Sequence, residues 1–491
     1  MKFFSFLGIF KSKVKKAPLT LFNTLSGKKE VFKPLKGAQV RMYNCGPTVY
    51  DYPHIGNFRP YVFTDILRRT LEYNGYTLRQ VINITDVGHL TSDADEGEDK
   101  VEKKARNEKK RVVDIVKEST KVFFEGLVKL NIKTENTQFP KASDYIKEQI
   151  ALIETLEERA YTYETSDGIY FDTSRFPDYG KLGNIDVKGL KSGARVEENK
   201  EKKHLTDFAL WKFSKPEDKR QQEWDSPWGT GFPGWHIECS AMAMVHLGKQ
   251  IDIHTGGIDH IPIHHNNEIA QTESITQKQF SQFWVHNEFV TIEGQKIAKS
   301  LGNVILIKDV EERGFSPLSV RYWMLGAHYK TPINFTWEAL EGAQTALFKL
   351  HRYFSEEWGN TDGIIAASYR SRFSSFINDD LNTPKAIALI WKLVHDENVP
   401  QEDKKATLLH FDTVLGLGFS ESKQGTLDLL SQYQKNLSNE DTPKKIQNLL
   451  KKREIARNEK EWEKADQLRQ KIEAGGYKVE DTDGGSKVRK V

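Results

Sequence analysis

Only two cysteines, Cys45 and Cys239, occur in 491 residues. That scarcity excludes a disulfide-stapled extracellular scaffold and sets a reducing, cytoplasmic setting as the expectation. No apolar run approaches the roughly 20 residues that a membrane-spanning helix needs. The nearest, Phe3-Phe4-Ser5-Phe6-Leu7-Gly8-Ile9-Phe10, is short for a secretory core, carries most of its lysines after it, and precedes no small-residue cleavage site. It reads as an N-terminal extension, residues 1–17. Neither charge is in excess: 72 Lys+Arg against 69 Asp+Glu leave +3, so any nucleic-acid binding must come from local basic faces. What is present, 38% hydrophobic and 11% aromatic residues, supplies core for about three domains of roughly 150 residues each. No internal repeat of fixed period occurs.

Ala38–Asn44 reads as a strand ending at the turn Cys45-Gly46-Pro47, with a helix after Pro60 that stops at Asn74-Gly75 and a strand over Thr77–Ile84. Strand, helix, strand at this spacing opens a parallel α/β sheet. Asp99–Leu130 reads as one long charged helix after the acidic loop Asp93–Glu98. Ala142–Ala160 is helical, Tyr161–Thr173 forms a hairpin around Ser166-Asp167-Gly168, and Gly189–His204 is a charged loop, so this stretch looks inserted. The α/β style resumes with helix Trp235–Leu247, strand Ile251–His254, helix Asn266–Thr276 and strand Phe283–His286. From Lys308 the pattern is helical, broken at Gly359–Gly363 and Gly416–Gly425, with a polar linker at Ser431–Thr442 and one helical run, Lys444–Ala474, in the tail.

Three segments carry chemistry. Tyr52-Pro53-His54-Ile55-Gly56-Asn57 lies between the first strand and helix, where Gly56 admits close backbone approach and His54 and Asn57 can donate to phosphate oxygens. Glu293–Asn303 brackets Lys296 and Lys299 with glycines, which suits a hinged loop carrying cations to a triphosphate. Third, Gly234–Cys239 precedes Asp252-Ile253-His254-Thr255-Gly256-Gly257-Ile258-Asp259 and His264-His265-Asn266-Asn267-Glu268. Cys239, an imidazole and Glu268 are donors zinc prefers, and Cys45 can add a second sulfur. Spacing leaves His264 and His265 both open as the ring ligand. Buried filler is the usual fate of a lone cysteine. Here both cysteines fall inside motif segments crowded with His54, His236, His254, His260, His264 and His265, which favours a site.

These residues, with Tyr43–Asp51, Asn83-Ile84-Thr85-Asp86, Trp224–Gly229, Pro233–Met242, Ala327-His328-Tyr329 and Asp379–Pro384, resemble cysteinyl-tRNA synthetase, a class I aminoacyl-tRNA synthetase family. The resemblance runs from about Leu19 to Asp483. It implies a class I Rossmann-like parallel-sheet catalytic domain (18–135 and 233–290) split by a connective insertion (136–232). A KMSKS and stem-contact region (291–345), a helical bundle (346–430) and a small anticodon-binding domain (443–491) would follow. It further implies one Zn²⁺ held by Cys45, Cys239, His264 and Glu268, and HIGH- and KMSKS-like motifs. Asn57 stands where the class has a second His, and Ile297-Ala298 where it has Met-Ser, so tuned ATP handling with retained activity is expected.

The implied reaction is attack of the cysteine carboxylate on the ATP α-phosphorus, then transfer to the terminal adenosine of tRNA(Cys), with Mg²⁺ as counterion of ATP. His54, Asn57, Lys296 and Lys299 would be catalytic; Gly56, Gly256, Gly257, Asp259 and Ser300 would complete the ATP site. Gly46, Thr48, Thr85, Trp235 and Asp259 would surround the amino acid. Zinc would separate thiol from hydroxyl, which shape alone does poorly. Lys444–Lys471 carries alternating charge with Trp462, ordinarily a solvated face but credible here for RNA; the tail lacks the aromatic usual near its end. The partners expected are L-cysteine, ATP and tRNA(Cys), with no membrane and a monomeric chain. A mycothiol-type cysteine:amino-sugar ligase would lack the tail, a non-catalytic paralogue would have lost lysines or ligands, and a zinc hydrolase would carry His-Glu-x-x-His.

Overall fold

The computed structural model describes residues 17–88, 99–185, 200–215, 217, 220–359, 363–419, 442–482 and 485–490. The apolar segment Phe3–Phe10, the acidic loop Asp93–Glu98, most of the charged stretch Gly189–His204, the end of the break Gly416–Gly425 and nearly all of the linker Ser431–Thr442 lie outside these residues. Five parallel strands form the central sheet: β1 (Gln39–Asn44), β2 (Thr77–Ile82), β3 (Thr137–Gln138), β4 (Ile251–Gly257) and β5 (Ser281–Asn287). Their spatial order is β5-β4-β1-β2-β3. The chain therefore starts in the middle, builds outward through β2 and β3, and returns to lay β4 on the other side of β1. That reversal creates a crevice beyond the C-terminal ends of β1 and β4, where ligands bind in open α/β sheets. No helix among the described residues is long and apolar enough to cross a membrane.

Helix α1 (Ile55–Tyr73) makes the crossover from β1 to β2. It starts five residues before the point the Pro60 signal suggests, because His54 and Asn57 cap it reciprocally: the His54 side chain accepts from the Asn57 N–H and the Asn57 side chain accepts from the His54 N–H. Pro60 then sits inside the helix, where it has no N–H to give the Gly56 carbonyl four residues back. The long charged run divides into Lys100–Glu108 and Val112–Lys129, with Lys109 left-handed at φ 53°. Asp99 caps the first piece through the N–H groups of Val101 and Glu102, and the break lets the apolar stripe of the second turn inward. Val112, Ile115, Phe123 and Leu127 are all buried.

A four-stranded antiparallel sheet, Thr162–Thr165, Gly168–Phe171, Phe208–Phe213 and Gly231–Pro233, falls between β3 and β4 in sequence. It feeds directly into helix α2 (Trp235–Leu247), and α3 (Asn266–Thr276) follows β4. The helical half packs on α1 through a buried ion cluster. Asp65 accepts from Arg69 at 2.7 Å and Arg321 at 2.5 Å, and Arg321 also donates to the Leu415 and Leu130 carbonyls. Burial alone would raise the Asp65 carboxyl, but the two guanidinium groups hold it below its usual value. In the tail the single helical run is two helices, Lys444–Asn458 and Trp462–Glu473, parted at Lys460 with φ 60°. A hairpin that the composition did not announce, Tyr477–Thr482 paired with Gly485–Lys490, closes the module over Ile446, Leu450 and Ile472.

Candidate active site

The crevice floor is built from four elements. Cys45 prolongs β1, its N–H bonded to the Thr255 carbonyl of β4 at 3.1 Å, so the sheet itself aims its side chain at the switch point. Cys239 lies on the second turn of α2. His264 falls in a π turn, Ile261–His265, that runs into α3, and Glu268 lies in the first turn of α3. One donor atom from each of Cys45, Cys239, His264 and Glu268 lies within 4.8 Å of every other, all buried. The four-residue spacing works even though the α-helix begins only at Asn266: His264 Nε2 reaches Glu268 Oε1 at 3.0 Å.

A second set, Cys45, His254, His265 and Glu268, meets the same spacing and shares two members with the first. His254 Nε2 lies 2.8 Å from Glu268 Oε2, and His265 Nε2 lies 3.2 Å from Cys45 Sγ. His265 is held from behind by His286 at 2.7 Å, which in turn meets Thr24 at 2.7 Å. Glycine is required beside it, since a Cβ on Gly256 would stand 2.7 Å from both the His265 and His260 rings. The Cys239 set holds two sulfurs, one ring and one carboxylate, the donor chemistry of a zinc site, at a spread that bonds of about 2.0–2.3 Å can draw together by small side-chain rotations.

Electrostatics divide the two thiols. Cys239 falls to about 6, lowered by the hydrogen bond from Cys45, opposed by burial, and helped by His264. Burial and the neighbouring Cys239 charge push Cys45 well up. Burial would neutralise His264, yet its bonds to Cys239 and Glu268 raise it to about 10. Burial would likewise raise Glu268, but His254 and His264 bring it to about 2. These directions favour negative charge on Cys239 and Glu268 and positive charge between them, the place a divalent cation would take.

Above the floor opens a cavity of about 990 Å³ lined by Cys45, Gly46, Thr48, His54, Gly56, Asn57, Trp235, Gly256, Gly257, Asp259, Lys296 and Lys299 among others. The Trp235 ring lies 4.5 Å from that of His264, closing the floor on one side. At the rim, the capping bond at His54 Nδ1 (3.3 Å) leaves the ring proton on Nε2, and burial keeps this imidazole below its ordinary pKa. A Cβ on Gly56 would press Ile297 Cδ1 at 2.7 Å, so Gly56 is the seat on which the lysine loop rests. That loop is stapled by Asn303, which accepts from the Ala298 N–H at 2.8 Å and donates to the Lys296 carbonyl at 3.0 Å. Lys299 is paired with Asp51.

Ser300 and Thr85 are not among the cavity-lining residues. Ser300 is exposed on the loop, and Thr85 is buried behind Thr48, its hydroxyl accepting from Asn83 Nδ2 at 2.9 Å. Gly46 lines the cavity but gives its N–H to the Asn83 side chain at 2.7 Å, and a Cβ there would overlap the Asn83 backbone. Sequence reasoning did not single out Asp51, His286 or Asn83. Asp51 lies inside a motif segment and could have been found as a carboxylate three residues before the His54 helix cap; His286 and Asn83 owe their place to strand packing and left no local signal.

The model "tRNA synthetases class I (C) catalytic domain" matches residues 31–345, "DALR domain" 372–419 and "Cysteinyl-tRNA ligase anticodon binding domain" 439–489. Cysteine–tRNA ligase 1 of Burkholderia lata is 48% identical over 473 residues, covering 96% of this chain and 97% of its own. Cysteine–tRNA ligase of Treponema denticola is 42% identical over 499 residues, covering 96% and 100%. Mycobacterium tuberculosis methionyl-tRNA synthetase in complex with methionyl-adenylate superposes with a TM-score of 0.53 over 80% of this chain and 94% of that one, at 14% identity. The LeuRS–tRNA–LeuAMS complex of Agrobacterium radiobacter K84 gives 0.56 over 82% and 86%, at 12% identity; these two share the fold. A switch-point crevice with a capped helix start on one rim and a lysine loop on the other is that of a class I aminoacyl-tRNA synthetase. Within that class, the chain belongs to the cysteine–tRNA ligase family.

Proposed function

We infer that amino-acid selection in this enzyme, which joins cysteine to tRNA(Cys) at the expense of ATP, rests on zinc held by Cys45, Cys239, His264 and Glu268. One observation carries the reading: those four donors converge, buried and within 4.8 Å of one another, at the floor of the same cavity whose rim bears both nucleotide segments. When bound, zinc supplies a soft Lewis acid that takes a thiolate in preference to a hydroxyl. His264 is favoured over His265 because the set containing it uses both cysteines, whereas His265, braced by His286, serves Cys45 from outside as His254 serves Glu268.

The chain's own groups do the rest. Trp235 limits the pocket to a small side chain, and Asp259 faces the amino group. His54, neutral with its proton on Nε2, and Asn57 donate to the α-phosphate as the substrate carboxylate attacks; Lys296 and Lys299 take the charge of the leaving pyrophosphate, with the backbone at Gly56, Gly256 and Gly257 around the nucleotide and Mg²⁺ accompanying ATP. The substrate brings its own nucleophile, so positioning and charge stabilisation suffice. The terminal ribose hydroxyl of tRNA then attacks the adenylate. In this reading residues 18–135 and 233–290 are the two halves of the catalytic domain, 136–232 the connective insertion, 291–345 the stem-contact region and 346–430 the bundle. Residues 443–491 grip the anticodon end, offering Trp462, which is 59% exposed. The chain works as a cytoplasmic monomer.

The test is ATP–pyrophosphate exchange driven by cysteine or by serine, with and without a chelator, followed by charging of a tRNA(Cys) transcript. Cysteine-only exchange that is lost on chelation supports the metal. Equal exchange with serine, or full activity of zinc-free enzyme, overturns it.

A further inference from the structure

Asp51 sits at the rim between two lysines of different character. Its Oδ1 accepts from Lys104 Nζ at 3.0 Å and from the Tyr52 N–H at 3.0 Å, while Oδ2 is paired with Lys299. Lys104 belongs to the helix Lys100–Glu108; its side chain is 19% exposed, it lies 5.3 Å from the centre of the Tyr52 ring, and Glu108 stands 3.6 Å away on its other side. Lys299 is 70% exposed, on a loop whose flanks are held by the Thr291–Lys296 strand pairing, the Ile297–Gly56 contact and the Asn303 staple. One partner is largely covered and the other is open to solvent.

We propose that Asp51 is a positioning residue that parks Lys299 until ATP arrives, and that Lys104 is the counter-cation that lets it go. The inference rests on the reading that Lys299 serves the pyrophosphate. A triphosphate entering the cavity competes with Asp51 for the Lys299 ammonium. Once Lys299 moves, the half-buried Asp51 carboxylate would face the phosphates as a bare like charge, were it not still neutralised by Lys104. Burial opposes ionisation of Asp51, but its hydrogen bonds to Lys299 and Lys104 keep it ionised, so the exchange is one of ion-pair partners with no proton moved.

The two flanks therefore act on ATP with opposite sign, which a merely structural role would not produce. Asp51→Asn keeps an acceptor for the Tyr52 N–H but releases Lys299; in cysteine-dependent ATP–pyrophosphate exchange the ATP KM falls about threefold, the worth of one exposed ion pair, with kcat little changed. Lys104→Gln raises the ATP KM by about the same factor, and in the double variant that rise disappears. Thermal unfolding of each variant checks the fold, and Lys104→Gln, on a partly exposed helix face, carries the test should Asp51→Asn unfold. Both single variants shifting KM the same way, or a double variant retaining the Lys104→Gln effect, overturns the proposal. Lys299→Ala separates the two ideas: normal exchange in that variant would remove the role assigned to Lys299 itself, whatever Asp51 does.

Discussion

The floor and the rim of one cavity follow opposite designs. On the floor, Cys239, His264, His265 and Glu268 are no more than 2% exposed, and their outer partners His254, His286 and Thr24 come from three separate strands or turns. At the rim, Lys299 stands 70% exposed on a loop resting on a glycine. Telling sulfur from oxygen calls for donors that are fixed and dry, because a soft ligand set discriminates only if it cannot relax around the wrong atom. In the proposed reading, clasping a triphosphate calls for cations that can swing, since the same lysines would have to release pyrophosphate.

The comparison breaks if a floor variant alters ATP binding or a rim variant alters amino-acid choice. The largest expected effect is at the floor: Cys239→Ala lowers cysteine-driven exchange about 10³-fold, the equivalent of about 4 kcal/mol of lost metal-centred binding, with the ATP KM near that of the parent. Lys299→Ala comes next, lowering kcat roughly 10²-fold while the cysteine KM and the zinc content by atomic absorption stay as they are. His254→Leu removes the partner of Glu268 Oε2 and weakens zinc retention by roughly 10- to 100-fold in chelator competition, again without touching ATP. Smallest is the helix cap: Asn57→Ala costs about 1 kcal/mol in denaturant unfolding. Asn57→Asp regains that stability, because it still accepts from the His54 N–H, yet leaves ATP binding impaired by its charge.

The floor was legible because rarity and periodicity coincide there. Two cysteines in the whole chain, each in a segment rich in histidine, and His264 four residues before Glu268 leave little else for them to do. What spacing could not do was choose between His264 and His265, since the two rings diverge only once β4 and β5 lie side by side and His286 claims the second. The rim was legible in its motifs and not in its pairings: nothing local tells that Lys299 finds Asp51 across about 250 residues of sequence. Where the fold departed from expectation, the cause was again local geometry with no marker residue. Lys109 and Lys460 take left-handed conformations without glycine, and the early start of α1 comes from a histidine acting as a cap. The tail hairpin rests on two valines, Val479 and Val488, paired across the turn, a signal too short to stand out beside a charged helix.

The central claim, that the substrate sulfur joins the ion on the floor, is tested most directly by zinc K-edge X-ray absorption of the holoenzyme with cysteine, with serine and with neither. Two sulfur neighbours in the free enzyme, rising to three with cysteine and staying at two with serine, is the result the account predicts. A sulfur count that cysteine leaves unchanged would contradict it.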